Sequence, residues 1–367
     1  MLGDKQIYTV FEVNRYIKAI LSQDDNLHYI YVKGEISNFK PGANGHLYFS
    51  LKDQDSLINV AMFNSYASKL VFLPKNGDEV IVQANTYIAT VLGITSNNAK
   101  PVFVEPNVFF NIDTSKLESN ITKNTKAILV THLYGQASNM DAILKLCRKY
   151  SLFLVEDCAQ AHYAQYKNRY VGTFGDLGFF SFYPTKNIGG FGDGGAVVTN
   201  NEKLYKKVMM LRNYGSDRRY DFEIANGSNS RLDEIQASLL SVKLKHHLEI
   251  TREKIRIAET YLSRINNPLV QVPKLDENCT SVWHLFVLVV DDQKHFISHM
   301  ANKGVCTDVH YPIPPHLSKC YKNLGYKAGD YPITEYYCSH IVDLPIFNGM
   351  TDDEINSVIN AVNSYEK

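Results

Sequence analysis

From residue 77 onward, short and nearly continuous apolar runs alternate with amphipathic stretches, and no other feature of the chain constrains its fold as strongly. The runs EVIV (79–82), PVFVEP (101–106), KAILVTHLYG (126–135), LFLVEDCAQ (152–160), LGFFSFYP (177–184) and GGAVVTN (194–200) are interleaved with TYIATVLGITSNN (86–98) and MDAILKLCRKY (140–150). Strands that are apolar on both faces need cover on both sides, so this pattern predicts a parallel or mixed sheet between helical layers, an α/β domain. Beyond about residue 232 come a long helix-prone stretch, LDEIQASLLSVKLKHHLEITREKIRIAETYLSRI, a strand pair around WHLFVLVV, and the terminal helix DDEINSVINAVNSYE. These predict a smaller α+β domain.

The pattern before residue 77 is different. Val10, Val13, Ile17, Ile20 and Leu21 recur at helical spacing, and IYVKGEIS (30–37), HLYFSLKD (46–53) and SLINVAMF (56–63) then alternate with period two. PGANG (41–45) supplies a turn, NSYASKLVF (64–72) has helical character, and GDEVIV (77–82) is again a strand. The order fits a small β-barrel of the oligonucleotide-binding (OB) type.

Composition sets the outer limits. A chain of 367 residues has room for two or three domains, and 38 basic residues against 38 acidic ones exclude a polybasic nucleic-acid tail, so any DNA binding must be local. The start has no secretory pattern and no apolar run approaches the roughly 18 residues of a membrane span, which leads us to expect a cytoplasmic protein with no membrane partner. Cys147, Cys158, Cys279, Cys306, Cys320 and Cys338 are scattered without a CxxC, so buried free thiols are expected rather than disulfides or a zinc ribbon. The histidines His132, His162, His284, His310 and His316 show no metal-ligand spacing, and no metal is expected.

Two resemblances become specific. VFEVNRYIKAIL, VKGEISNFK, GHLYFSLKD, VAMFNSYASKL and NGDEVIV, spread over about residues 1–83, resemble the amino-terminal domain of the exodeoxyribonuclease VII large subunit. That resemblance implies an OB-type barrel that holds single-stranded DNA, here without the nuclease domain. Lys33, Lys40 and Lys52 could track phosphates while Phe39, Tyr48, Phe49 and Phe63 stack on bases; read without the resemblance, alternating aromatics in a small barrel are mostly core.

GDEVIVQANTYIAT, PVFVEPN, THLYGQ, VEDCAQAHYA, GTFGDLGFFSFYPTKNIGGFGDGGAVVTN, LRNYGS, NSRLDEIQA and HYPIPPH, in that order over about 77–367, resemble the DegT/DnrJ/EryC1/StrS family of sugar aminotransferases that depend on pyridoxal 5'-phosphate (PLP). The resemblance implies an aminotransferase of fold type I, with an α/β PLP-binding large domain (77–235) and a small C-terminal domain (236–367) following the OB-like segment (1–76). PLP needs a Schiff-base lysine and an acid that keeps its ring nitrogen protonated. Lys186 follows the strand FFSFYPT and matches the family lysine; Asp157 closes LFLVED and matches the acid. Gln160 matches the residue near the ring hydroxyl, Ser181 a ligand of the cofactor phosphate, and Tyr87 the aromatic that stacks on the ring. Asn229 matches an asparagine that reaches the partner's cofactor phosphate, so a homodimer with shared active sites is implied; Asn213 either assists or caps a helix.

HYPIPPH (310–316) resembles the sugar-contacting segment of enzymes that aminate a 3-keto-6-deoxyhexose on thymidine diphosphate, which makes His310, Tyr311 and His316 substrate candidates. The implied reaction is a ping-pong transamination between an amino donor such as L-glutamate and a keto-sugar nucleotide. Gly190, Gly192 and Gly195 fit GxGxxG by count, but that segment leads into a strand instead of opening a helix, so dinucleotide binding is not expected.

The match also has a gap. Family members begin with some 75 to 90 residues that carry a first strand and a helix whose amino end cradles the phosphate. Here the OB-like segment stands in that place, and the junction falls inside GDEVIV, a string common to both families. The chain thus reads as a chimera, whether recombinant, designed, mis-assembled or a natural fusion, in which one strand is claimed by two sheets, with impaired cofactor binding expected.

Overall fold

In the structure, a computed structural model, the described residues are 77–224, 227–366 and the strands Glu35–Pro41, Leu47–Lys52 and Leu57–Met62. The chain divides into two compact units, Met1–Val71 and Phe72–Lys367.

In the first unit β1 (Glu35–Pro41), β2 (Leu47–Lys52) and β3 (Leu57–Met62) form an antiparallel meander in that order. Ser37 faces Ser50 and Lys40 faces Tyr48, with a register shift between them, and Leu51 faces Ile58. β1 continues through Pro41, which the sequence pattern assigns to the turn. Phe39 and Lys40 are β1 positions, and Tyr48, Phe49 and Lys52 are β2 positions; their side chains, together with Lys33, Phe63 and the segments at 10–21 and 64–72, lie outside the described residues.

The second unit is built on β4 (Glu79–Gln83), α1 (Ile88–Thr95), β5 (Lys100–Val104), β6 (Thr125–Thr131), α2 (Met140–Tyr150), β7 (Phe153–Asp157), β8 (Leu177–Ser181) and β9 (Gly195–Val198). Among the described residues these strands make one sheet in the order β9-β8-β7-β6-β4-β5, parallel throughout except for the antiparallel β8–β9 pair. α2 illustrates how the sequence specifies an element. The Asn139 side chain accepts from Ala142 N, Asp141 lies in the first turn, Arg148 and Lys149 lie in the last, and Ser151 ends the helix in a left-handed conformation. Met140, Ile143, Leu146 and Cys147 then form one buried face, packed on Ile128, Val130 and Leu154 of the sheet.

α3 (Glu202–Leu211), α4 (Glu234–Lys245) and α5 (His247–Arg264) follow. The helix-prone stretch from 232 is therefore two helices, broken at His246, whose ψ of 11° leaves the helical range. The C-terminal layer comprises β10 (Val270–Gln271), β11 (Phe286–Val290), α6 (Gln293–Asn302), α7 (Pro332–His340), β12 (Ile341–Leu344) and α8 (Asp352–Asn363). Its antiparallel sheet, β10-β11-β12, packs against α5, α6 and α8 around Tyr261, Phe286, Phe296, Val342 and Ile359. A side chain of that size contributes about 1.5–3 kcal/mol on full burial. Phe110, Leu133 and Tyr134 meet Val287, Val289 and Ile341 in a cluster that joins this layer to the large sheet.

The thiols differ in part from the expectation: Cys147, Cys158 and Cys338 are buried and Cys279 is half-buried, but Cys306, in an irregular segment, and Cys320, on a 3-10 turn at 319–324, are exposed. All six are free. No described helix is long and apolar enough to cross a membrane.

Candidate active site

Parallel strands flanked by helices leave their carboxyl ends open as a crevice, and the polar residues of this sheet gather there. In register, Thr131 at the end of β6 lies beside Asp157 at the end of β7, and Asp157 beside Phe179 of β8, two residues before Ser181. β4 runs out into Thr86 and Tyr87, and α1 begins at once, bringing Thr90 over the same end. These residues line a cavity of about 480 Å³ together with Gln160, Tyr183, Lys186, His284, His310 and Tyr311.

Asp157 is buried at the floor of this cavity. Its Oδ2 accepts from Thr90 Oγ1 at 2.7 Å and its Oδ1 from Ala159 N at 3.0 Å. Because Thr90 spends its proton on the carboxylate, it must accept from Thr86 (2.9 Å), which in turn accepts from Thr131 (3.0 Å). The three hydroxyls therefore form a chain directed at Asp157. Burial raises the Asp157 pKa above the ordinary carboxylate range, opposed by the Thr90 and Ala159 hydrogen bonds and the charge of Lys186. The Lys186 amine is shifted the other way: burial lowers its pKa, and Asp157 partly restores it. An acid pushed up and an amine pushed down in one cavity are what proton-transfer chemistry near neutrality needs.

The remaining walls are fixed by side chains far apart in sequence. Gln160 Oε1 accepts from Tyr134 N at 2.7 Å, and its Nε2 donates to Tyr311 Oη at 3.1 Å. Tyr311 and Tyr87 bring their ring centroids to 4.9 Å, and Tyr87 is half exposed, forming a rim. Ser181 Oγ accepts from Tyr183 N at 3.2 Å. His310 donates through Nδ1 to Asp343 Oδ2, and the Tyr134 hydroxyl donates to the His310 carbonyl. Behind Lys186, Asn187 donates to Val282 O at 2.7 Å, and its Oδ1 lies 3.3 Å from His284 Nδ1 and accepts from Lys254 Nζ at 3.3 Å.

Of the residues singled out from sequence, Tyr87, Asp157, Gln160, Ser181, Lys186, His310 and Tyr311 come together in this cavity. His316 does not. It is fully buried between Phe103 and Tyr331 with Nε2 3.1 Å from Glu335 Oε1, because the 3-10 turn that begins at Pro315 directs it into the core. Asn229 is exposed, pairs by a backbone bridge with Asn213, and is absent from the cavity wall. Asn213 Oδ1 accepts from Arg231 Nη1 at 2.6 Å. The glycine run leads into β9, in keeping with a turn.

Sequence reasoning missed Thr86, Thr90, Thr131 and Asp343, for which only a place at or near the ends of strands, or in the first turn of α1 for Thr90, gives a local sign; His284 it named only among histidines that are satisfied or line a site. Nor does the sequence bring together His132, Glu156 and Cys158, whose ligand atoms lie within 4.8 Å of one another. There Glu156 accepts from Gly172 N, Phe174 N and Gly175 N, each at 2.7 Å, and meets His132 Nε2 at 3.2 Å. His132 Nδ1 accepts from Ser138 N at 3.0 Å. The lone pairs of Glu156 and of His132 Nδ1 are thus engaged, and these bonds pin the loop at 172–175 beside Asp157.

Comparison with known proteins adds an independent line. Residues 67–363 match the profile of the DegT/DnrJ/EryC1/StrS aminotransferase family, and residues 8–94 that of an OB-fold nucleic acid binding domain. The two matches overlap across GDEVIV, which the structure gives to β4, between β5 and β6 of the large sheet. The dTDP-3-amino-3,6-dideoxy-alpha-D-galactopyranose transaminase of Aneurinibacillus thermoaerophilus is 46% identical, over 79% of each chain. Streptomyces venezuelae DesV, solved in complex with a ketimine intermediate, is 40% identical over 78% of each chain with a TM-score of 0.76. The PLP form of a sugar aminotransferase from Streptococcus pneumoniae is 26% identical over 79% of this chain and 81% of that one, with a TM-score of 0.73.

Proposed function

Because the chain belongs to the DegT/DnrJ/EryC1/StrS aminotransferase family, we propose that it transfers an amino group from a donor such as L-glutamate to a thymidine-diphosphate-linked 3-keto-6-deoxyhexose. It is a PLP-dependent sugar aminotransferase of fold type I preceded by an OB-type domain. The observation that carries the reading is the pairing of a buried acid, Asp157, at the end of β7 with a partly buried amine, Lys186, in the loop that follows the adjacent strand β8.

The donor set fits the cofactor. A carboxylate buried and hydrogen-bonded at the cavity floor suits a pyridinium nitrogen, an amine of lowered pKa suits an aldehyde, and the wall carries a hydroxyl (Ser181) and an aromatic rim (Tyr87). Once bound, the cofactor supplies an electron sink for the carbanion formed at the substrate carbon. The rest falls to the chain. Asp157 would hold the ring-nitrogen proton, with the threonine chain donating to its Oδ2. Gln160 Nε2 would face the ring hydroxyl, and Tyr87 would cover one face against water. Lys186, once its amine is free, would carry a proton between substrate and cofactor carbons, and its lowered pKa keeps a neutral fraction available for this. Ser181, with Asn229 from a second copy, would hold the phosphate. The HYPIPPH segment beside the cavity supports substrate contact by His310 and Tyr311; the buried position of His316 removes the support for its own.

Two measurements test this. Absorption on adding PLP, followed by borohydride reduction and peptide mapping, should give a covalent adduct on Lys186 and none in Lys186→Ala. Transfer of ¹⁵N from L-glutamate to the keto-sugar nucleotide should require Lys186. A folded protein that traps no lysine adduct and transfers no nitrogen would overturn the reading.

We further propose that the enzyme works as a homodimer. Ile235 and Val242 of α4 are 78% and 57% exposed, and Phe191, Tyr220 and Phe222 are also exposed, an apolar surface of the kind a second copy covers. A second activity, single-stranded DNA binding by the first unit, is favoured by the OB-fold match at residues 8–94. Its check is a salt-dependent anisotropy shift with a labelled oligonucleotide that disappears when residues Lys33, Phe39, Lys40 and Tyr48 are replaced together.

A further inference from the structure

We propose that His310, anchored by Asp343, is the group that receives the α-carboxylate of the amino-acid donor. This rests on the transaminase reading and deepens it. An amino acid brings a carboxylate into the cavity, and something there must neutralise it. Among the described residues that line the cavity there is no arginine, and the charge-bearing side chains are Asp157, Lys186, His284 and His310. Asp157 has the wrong sign, Lys186 is committed to the reacting carbon, and His284 is kept neutral by burial, with its Nδ1 3.3 Å from Asn187 Oδ1. Of these four side chains from one copy, His310 remains.

The geometry of His310 suits the task. Its Nδ1 donates to Asp343 Oδ2 on β12, and its backbone is tied by the Tyr134 hydroxyl, so the ring is held from two elements. Nε2 makes no hydrogen bond among the described residues, and the side chain keeps 31% of its surface open, whereas Asp343 is only 4% exposed and its Oδ1 is buried without a partner. Burial pushes the Asp343 carboxyl itself up, and the hydrogen bond and charge of His310 pull it back down, so each partner favours the charged form of the other. Burial by itself would lower the His310 pKa, but the hydrogen bond and charge of Asp343, aided by Asp308, outweigh burial and the opposing charge of Lys186, so the ring titrates above its ordinary range. The other titratable groups packed near it are Tyr311, Tyr134 and His284. Asp343 is in this sense a positioning residue, acting through the imidazole.

The test uses the full chain. In steady-state kinetics His310→Gln should raise the KM for L-glutamate roughly 10-fold to 100-fold, the worth of one charge-assisted hydrogen bond. The KM for the keto-sugar nucleotide, which carries no carboxylate and would meet His310 only through neutral hydrogen bonds that Gln can replace, should change far less. Asp343→Asn should shift the pH at which donor affinity is lost downward, and Asp343→Glu should restore part of the shift. A readout that needs no turnover is the imidazole resonance of His310 in cofactor-free, histidine-labelled protein, assigned by its loss in His310→Gln. It should move on adding L-glutamate and should move much less with 4-aminobutyrate, which lacks the α-carboxylate. Equal shifts with both compounds, no shift with either, or a KM effect confined to the sugar would each overturn the proposal. The resonance test stays interpretable if the protein proves not to be a transaminase, so the two readings can fail separately.

Discussion

At the scale of single residues, the candidate site is built from groups that are costly to bury. Asp157 is tolerable in the core because two donors face it, and Thr90 supplies the shorter bond from a position 67 residues away. Thr90→Val should leave Asp157 Oδ2 short of a donor at a cost of about 1–3 kcal/mol, read as a lower melting temperature and a fall in kcat of roughly 10-fold or more. Lys254 is the mirror case. Buried in α5 and bonded to Asn187 Oδ1 and His284 O, its amine is held down to about 8 by burial. A cation whose folded pKa lies below its unfolded value weakens the fold while it is charged, and the deficit is relieved as pH rises from about 8 toward the free-lysine value of about 10.4. The stability of the wild type relative to Lys254→Met should therefore increase across that window, by on the order of 3 kcal/mol, in urea midpoints measured at pH 7, 9 and 10.5. Asp157 and Lys186 were legible in the sequence through the motifs around them. Thr90 and Lys254 were not, since an ordinary threonine or lysine on a helix carries no local sign of what the fold brings against it.

At the scale of elements, periodicity located the strands and helices of the second unit well, and its failures fall where backbone conformation changes abruptly. KAILVTHLYG reads as one strand to residue 135, yet β6 ends at Thr131 and the chain turns through left-handed Tyr134 and Gly135. That turn aims Tyr134 N at Gln160 and lays Gly135 against the backbone of the C-terminal layer. A Cβ on Gly135 would meet His284 N at 2.8 Å and Trp283 N at 3.0 Å, and its φ is +100°. Gly135→Ala should thus cost about 1–3 kcal/mol, checked by thermal melting, and should raise the KM for cofactor because Gln160 loses its anchor. β9 poses a different problem. It is the edge of the large sheet among the described residues and keeps Val197 and Val198 exposed, so it offers unpaired backbone for association. Val197→Lys should reduce light scattering at high protein concentration.

At the scale of the whole molecule, the decisive feature is the segment that both family profiles claim. GDEVIV is apolar enough for either sheet; the large sheet wins because parallel neighbours on both sides, β5 and β6, pair with nearly every residue of β4 and bury Ile81 and Val82 completely. The matched span leaves about a fifth of the relatives' length without a counterpart, and from this we expect a PLP dissociation constant higher than those of the relatives, measured by titration of the cofactor-free protein. The dimer reading makes its own prediction. If Asn229 serves the second copy's site, mixing inactive Lys186→Ala and Asn229→Ala proteins should restore part of the activity through mixed dimers, and sedimentation should give twice the chain mass.

The sequence by itself determined the ladder of buried strands, the helices between them and the polar residues that close those strands, because strand and helix periods and end signals are local properties of the chain. The resemblance of its motifs then implied roles for Lys186, Asp157 and Gln160. Only the tertiary structure decided which sheet takes GDEVIV, which hydroxyls face Asp157, that His316 goes to the core while His310 goes to the cavity, and that Asp343 stands behind His310. Those outcomes depend on register and packing between segments tens to hundreds of residues apart, where a hydrogen bond is set by a fraction of an ångström that no local pattern encodes.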